Sequence, residues 1–164
     1  MLKNRYRKGA LRGMSELMPN RDLRQCARQS IALRLQSPAQ AWPRFGRDLS
    51  LLDEDGPDGS LLFACRTDPS MSNPLGIVHG GITAALLDTC MGVTCSAQCG
   101  RAATPTVTLT VNYVRPVPLD AQLRVRTRTV RIGRTTGQLS AEVSPADHPE
   151  EILATATGVF SIRR

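Results

Sequence analysis

Along the second half of the chain, apolar and polar positions alternate with a period of two, the signature of strands with one buried face. In "TVTLTVNYV" (106–114), Val107, Leu109, Val111 and Tyr113 fall on one side, and Thr106, Thr108, Thr110 and Asn112 on the other. "AQLRVRTRTVRI" (121–132) sets Arg124, Arg126 and Arg128 against Leu123, Val125 and Thr127. "TTGQLSAEV" (135–143) opposes Leu139, Ala141 and Val143 to Gln138, Ser140 and Glu142. "ILATATGVFSI" (152–162) places Ile152, Ala154, Ala156, Gly158, Phe160 and Ile162 on one face. The joints "RPVPLD", "GRT" and "PADHPE" are short and rich in turn residues, which predicts four successive antiparallel neighbours. Upstream, "DLSLLDE" and "SLLFACRTD" predict two short strands joined by the turn "DEDGPDG".

Two stretches carry the helical period instead. After Pro19, within residues 15–35, Leu23, Ala27, Ile31 and Leu35 recur at helical spacing, so an amphipathic helix is expected. Residues 80–97 exceed strand length, hold Ala, Leu and Met, and run towards Gly100, so helix is expected there too. The segment "SPAQAWPRF" reads as a linker. The simplest packing of these elements is one sheet with one central helix buried against it, an α+β arrangement. A basic arm and amphipathic helix would occupy residues 1–45, and the principal domain residues 46–164.

Composition narrows the function classes. At 164 residues the chain can bury a sizeable core. Its net charge of +7 points to anionic partners: nucleic acid, an acidic membrane surface or a phosphate-bearing small molecule. Aromatic content of 4% offers no stacking platform, which argues against nucleic acid. Five cysteines without a C-x-x-C pair, and only two histidines, argue against a zinc site. An odd cysteine count and no secretory apolar run suggest a reducing, cytoplasmic setting. Residues 80–99 are long enough to tempt a transmembrane reading, but Asp88, three glycines and several Thr, Ser and Gln residues oppose it.

The chemistry concentrates in "GIVHGGITAALLDTCMG" (76–92). Gly80 and Gly81 would open a helix, where backbone N–H groups lack intrahelical partners and the dipole is positive. Such a place binds a phosphate, or polarises a carbonyl and stabilises the oxyanion formed on attack. Asp88 is the only charged residue from 80 to 99. A carboxylate in an apolar helix is costly unless paired or used, and in use it serves as general base or nucleophile. Eight residues of helix separate Gly80 from Asp88 by about 12 Å, beyond the 3–3.5 Å that attack requires. If the two form one site, two helices running antiparallel across a two-fold axis would build it.

"NPLGIVHGGITAALLD" followed by "TPTVTLTVNYVRP" resembles the PaaI-type acyl-CoA thioesterases of the hotdog superfamily. The resemblance covers roughly residues 60–164. It rests on Asn-x-x-Gly-x-x-His-Gly-Gly, an Asp seven residues on, and a Thr-rich run ending Asn-Tyr-x-Arg-Pro. It implies a curved antiparallel sheet wrapped around a long helix, here with an extra N-terminal helix, and no cofactor or metal. It also implies a homodimer with active sites at the subunit interface, in many members paired again into homotetramers. Carried over by position, Asn73 and the Gly80 N–H would orient and polarise the thioester carbonyl. Asp88 from the partner subunit would activate or deliver the attack, and Thr106 would stand beside the water. His79 would shape the loop at the helix start. Gly81 and the arginines Arg115, Arg124 and Arg126 are the expected substrate contacts, since coenzyme A carries about four negative charges near neutrality.

The reading expected from this resemblance is hydrolysis of an acyl-CoA to free coenzyme A and a carboxylic acid. The alternative is a non-catalytic hotdog module that binds acyl-CoA or serves regulation, since fold does not fix function. A hotdog dehydratase fits the Asn73, Gly80 and Asp88 pattern less well.

Overall fold

The segments that alternate with period two do form strands, and all of them enter one sheet. The computed structural model describes residues 20–35, 48–53, 60–100 and 102–163. In chain order these give α1 (Asn20–Leu35), β1 (Ser50–Leu51), β2 (Leu61–Arg66), α2 (Gly80–Gln98), β3 (Thr106–Tyr113), β4 (Gln122–Ile132), β5 (Thr136–Pro145) and β6 (Ala154–Ser161). Six strands pair antiparallel in the order β1-β2-β4-β5-β6-β3. The curved sheet wraps α2, and α1 packs on α2 as the extra N-terminal helix.

Burial follows the alternation closely. Leu123, Val125 and Thr127 on β4, Leu139, Ala141 and Val143 on β5, and Ala154, Ala156 and Phe160 on β6 are buried in one core. Leu23, Ala27 and Ile31 of α1 join that same core, whereas the side chain of Leu35 and the 45/46 boundary lie outside the described residues. The linker 37–45 and most of the turn 53–59 also lie outside them. Of "DLSLLDE", only Ser50 and Leu51 pair, opposite Ala64 and Phe63.

Helix α2 is held on the sheet by a polar contact as well as by its apolar faces. Thr94 Oγ1 and Thr127 Oγ1 lie 2.8 Å apart, both buried, while Thr94 also donates to the Cys90 carbonyl. Buried hydroxyls need such partners, so the pair fixes helix register against β4. The helix stops at Cys99, whose N–H reaches the carbonyls of Cys95 and Ser96, just before Gly100 at φ 64°.

Gly137 on β5 leaves room for Cys95 of α2 against the sheet. A Cβ there would stand 2.6 Å from Cys95 Sγ and 3.0 Å from Ile132 Cδ1. Gly137→Ala should therefore destabilise the fold by about 1–3 kcal/mol through overpacking, read as a lower urea midpoint. An unchanged midpoint would mean that β5 and α2 yield freely at this point.

Two expectations need correction. The four C-terminal strands are not all successive neighbours: β4, β5 and β6 are, but β3 pairs with β6 at the far edge. Residues 114–121 span three strand intervals, about 14 Å, with eight residues that reach about 26–29 Å when extended. That joint is long enough to cross the end of the sheet, and Pro116 and Pro118 cannot donate to a hairpin ladder. It is tied down on the way, with Val114 and Arg115 N–H on the Leu153 carbonyl and Val78 N–H on Val117.

The second correction concerns Thr106, expected on the face opposite Leu109. The β3–β6 register shifts between Thr106 and Thr108, and the extra residue reverses the alternation. Thr106 consequently points its hydroxyl at α2, on the side to which Leu109 and Val111 pack. The outer edge of β3 meets no other strand among the described residues, and Val107, Tyr113 and Val114 there are more than half exposed.

Candidate active site

His79 is the N-cap of α2, with extended backbone and its Nδ1 accepting from the Gly81 N–H at 2.9 Å. An accepting Nδ1 leaves the neutral ring's proton on Nε2. The His79 carbonyl takes the N–H groups of Ile82 and Thr83. Gly81 is therefore already engaged, and the donor left at the helix start is the N–H of Gly80. No hydrogen bond among the described residues uses it.

Gly80 opens into a cavity of about 440 Å³ whose lining includes Asn73, Ile77, Thr83, Tyr113, Arg115 and Val117. Asn73 Oδ1 accepts from the N–H groups of Leu75 and Ile77, at 2.8 and 3.4 Å, and so shapes the loop before the helix. With the oxygen occupied, the amide Nδ2 is the part of Asn73 free to meet a ligand. Gly80 with its free N–H and Asn73 with its free Nδ2 thus line one cavity of mixed polar and apolar walls. That is the donor set a carbonyl oxygen or an oxyanion requires.

Asp88 is two turns further along the same uninterrupted helix, about 12 Å from Gly80 by helical rise. It is half-buried and faces β3, where Thr106 Oγ1 donates to its Oδ1 at 2.8 Å. No cation among the described residues pairs with it. The carboxylate is therefore held by one hydroxyl beside an open sheet edge. The arrangement leaves it an accepting oxygen for a proton and a route to solvent or to another molecule.

The expected arginines divide. Arg115 lines the Gly80 cavity, its Nη1 donating to the Ile152 carbonyl and its Nε 3.5 Å from Glu151. Arg124 and Arg126 face away from α2, in a separate depression of about 330 Å³ with Leu62, Glu142 and Ser144. Arg126 pairs with Glu142 there, and Arg128 stands 3.5 Å from the same carboxylate. Within one chain, then, Asn73, His79, Gly80, Gly81 and Arg115 come together. Asp88 and Thr106 form a second group, and Arg124 and Arg126 join neither.

Comparison with known proteins gives this geometry a family. The thioesterase superfamily model matches residues 75–152, from the loop before α2 to the turn before β6. An inferred esterase of Halobacterium salinarum is 33% identical over 122 residues, covering 68% of this chain and 79% of that protein. The chain belongs to the thioesterase superfamily. Its fold is also that of a phenylacetic acid degradation-related protein of Ralstonia eutropha, itself an inferred thioesterase. The TM-score is 0.65 at 26% identity, covering 81% of this chain and 99% of that one. A hypothetical thioesterase of Streptococcus pneumoniae, solved with coenzyme A, matches with a TM-score of 0.61 at 19% identity, over 70% and 87% of the two chains.

As a member of the thioesterase superfamily the protein has a hotdog fold, and two features of its site escape sequence reasoning. Tyr113 reads as one apolar strand position among several, yet its hydroxyl donates to the Gly80 carbonyl at 2.7 Å. Thr83 lines the same cavity, buried one turn into α2. Thr83 carries no sequence signal beyond its place in the helix, and Tyr113 stands in the Asn-Tyr-x-Arg-Pro run that marks the resemblance without being given a role by it. Burial, by contrast, removes Cys65, Cys90 and Cys95 from the chemistry. The Cys65 and Cys95 thiols are both pushed up to about 12, first by desolvation, so neither supplies a thiolate nucleophile near neutral pH. Cys90 and Cys95 sit wholly inside the core, as small apolar side chains would. Among the described residues no group of three or more potential metal ligands gathers, and no helix is long and apolar enough to cross a membrane.

Proposed function

We propose that this protein is an acyl-CoA thioesterase acting as a homodimer, with each active site shared by two copies. One observation carries the reading. The Gly80 N–H, which shares its cavity with Asn73, and the carboxylate at Asp88 are too far apart on one continuous helix to serve one substrate. Asp88 and Thr106 stand near β3, whose outer edge meets no other strand among the described residues, and Tyr113 carries that edge to the Gly80 cavity. An exposed eight-residue edge with apolar side chains is a template for pairing with a second β3. Antiparallel apposition would carry Asp88 of the partner subunit towards Gly80.

In this reading the thioester carbonyl oxygen accepts from Gly80 N–H and Asn73 Nδ2, which stabilise the charge that develops on it. Asp88 of the partner subunit takes a proton from water as the water oxygen bonds to the carbonyl carbon, or attacks that carbon first and is released by water. In either order the C–S bond breaks and the coenzyme A thiolate leaves and is protonated. A carboxylic acid remains. Thr106 holds the carboxylate in place, and Arg115 at the cavity meets the phosphates of coenzyme A. The coenzyme A found with the Streptococcus pneumoniae relative supports this choice of thioester. Five free cysteines fit a cytoplasmic protein.

Free-thiol release from short, long and aromatic acyl-CoAs, with Asp88→Asn beside wild type, tests the proposal. Turnover by wild type that the variant loses is expected. Binding of acyl-CoA without turnover by wild type would replace the enzyme with a binding module.

A further inference from the structure

The donor on which that reading depends belongs to a glycine, the residue with the widest backbone freedom. A polarising amide is useful only if its direction is set before substrate arrives. Two peptide planes meet at Gly80, and each is rigid in itself. The plane between His79 and Gly80 is fixed by its carbonyl, which accepts from Ile82 and Thr83 at 2.9 and 3.2 Å. The plane between Gly80 and Gly81 is held at both ends. Its N–H donates to His79 Nδ1 at 2.9 Å, and its carbonyl accepts from the Tyr113 hydroxyl at 2.7 Å.

The tyrosine reaches Gly80 from a different element. It is the last residue of β3, more than half exposed, and its ring lies against the glycine. A Cβ on Gly80 would come within 3.3 Å of Tyr113 Cζ and Oη. A side chain on Gly80 would therefore require the ring to give by a few tenths of an ångström. The glycine and the tyrosine fit each other, and the His79 cap completes the hold from the other side.

We infer that Tyr113 is a positioning residue that clamps the Gly80–Gly81 peptide and so braces the first turn of α2 against β3, keeping the Gly80 N–H, whose own plane is tied through the His79 carbonyl, in place at the cavity. The inference rests on the thioesterase reading for its catalytic consequence, but the clamp itself can be observed without turnover. Tyr113→Phe deletes one oxygen and keeps the ring. It should lower kcat about five- to ten-fold, the value of one hydrogen bond, with KM within two-fold of wild type. Amide hydrogen exchange in the same variant should quicken at Gly81, whose N–H loses half of its clamp, while amides of β4 and β5 stay protected.

Unchanged exchange at Gly81 would overturn the clamp, whatever the kinetics. Faster exchange at Gly81 with kcat unchanged would overturn the positioning role. Faster exchange across β4 and β5 with KM and kcat both altered would make Tyr113 a general support of the fold, and would also overturn it. Wild type without activity on any acyl-CoA would defeat the thioesterase reading alone, because the exchange result still decides whether the clamp exists.

Discussion

Asp88→Asn should lower kcat by about 10²- to 10⁴-fold, the range for removing a positioned base, and leave KM within a few-fold. The substitution keeps shape and volume. Its amide oxygen can still accept from Thr106 Oγ1, so the one hydrogen bond that places the side chain survives. What disappears is the capacity to take a proton from water or to attack a carbonyl. Because no cation faces Asp88 among the described residues, neutralising it leaves no charge stranded. The thermal midpoint should therefore stay within a degree or two of wild type, an effect below about 0.5 kcal/mol. Initial rates of thiol release measure the first quantity and a melting curve the second. Full turnover in this variant would remove Asp88 from the mechanism.

Phe160→Ala should cost about 3–5 kcal/mol of folding free energy, the range for deleting a buried phenyl ring. Phe160 is fully buried on β6 and faces the middle of α2, where a Cβ on Gly92 would lie 3.5 Å from its ring. Gly158, two residues earlier, leaves room for the same ring. Collapse into the vacated space is resisted from both directions. Along the sheet, Phe160 pairs with Thr106 on one side and Gly137 on the other. Losses of this size consume a large part of the 5–15 kcal/mol that holds a typical domain. Urea denaturation should show a markedly lower midpoint with the same slope, since the surface exposed on unfolding hardly changes. A loss under 1 kcal/mol would mean that α2 and β6 can close over the gap.

The legible parts of this molecule are those where one physical signal acts alone. The two-residue period identifies the buried faces of β4 as far as Thr127, of β5 as far as Val143 and of β6, because one side meets α2 and the other does not. Before β6, however, Leu153 is buried in place of the expected Ile152. The length and composition of residues 80–97 give α2, and Asp88 stands out within it as its one charged residue. Where β3 lies in the sheet is not legible. An eight-residue joint permits either a neighbouring strand or a crossing, and only packing decides. The side on which Thr106 falls is hidden for a related reason, since one extra residue at Val107 inverts a pattern that reads cleanly from the sequence.

Chemical roles follow the same division. His79, Gly80 and Gly81 are legible as a helix start. Which of the two glycine N–H groups stays free depends on the His79 rotamer, and that is a property of the folded loop. Tyr113 stands in a quoted motif, but its contact could not be read, because its partner is a backbone carbonyl 33 positions away in sequence. The arginines of β4 show the limit of charge as a guide. Arg126 is spent on Glu142, its cross-strand partner, whereas Arg115, outside any strand, is the one that reaches the cavity.

The central claim is that one active site takes Gly80 from one copy and Asp88 from another. Two disabled variants test it together. Gly80→Pro removes the polarising N–H at the first helical position, where proline suits the backbone after the extended His79, and its Cβ also presses on the Tyr113 ring, so this half of the site is disabled. Asp88→Asn removes the carboxylate. When the two are co-expressed, mixed dimers should carry one intact site each, and thiol release should recover to about one quarter of wild type. Activity no higher than the average of the two separate variants would contradict the shared site and return the chemistry to a single chain.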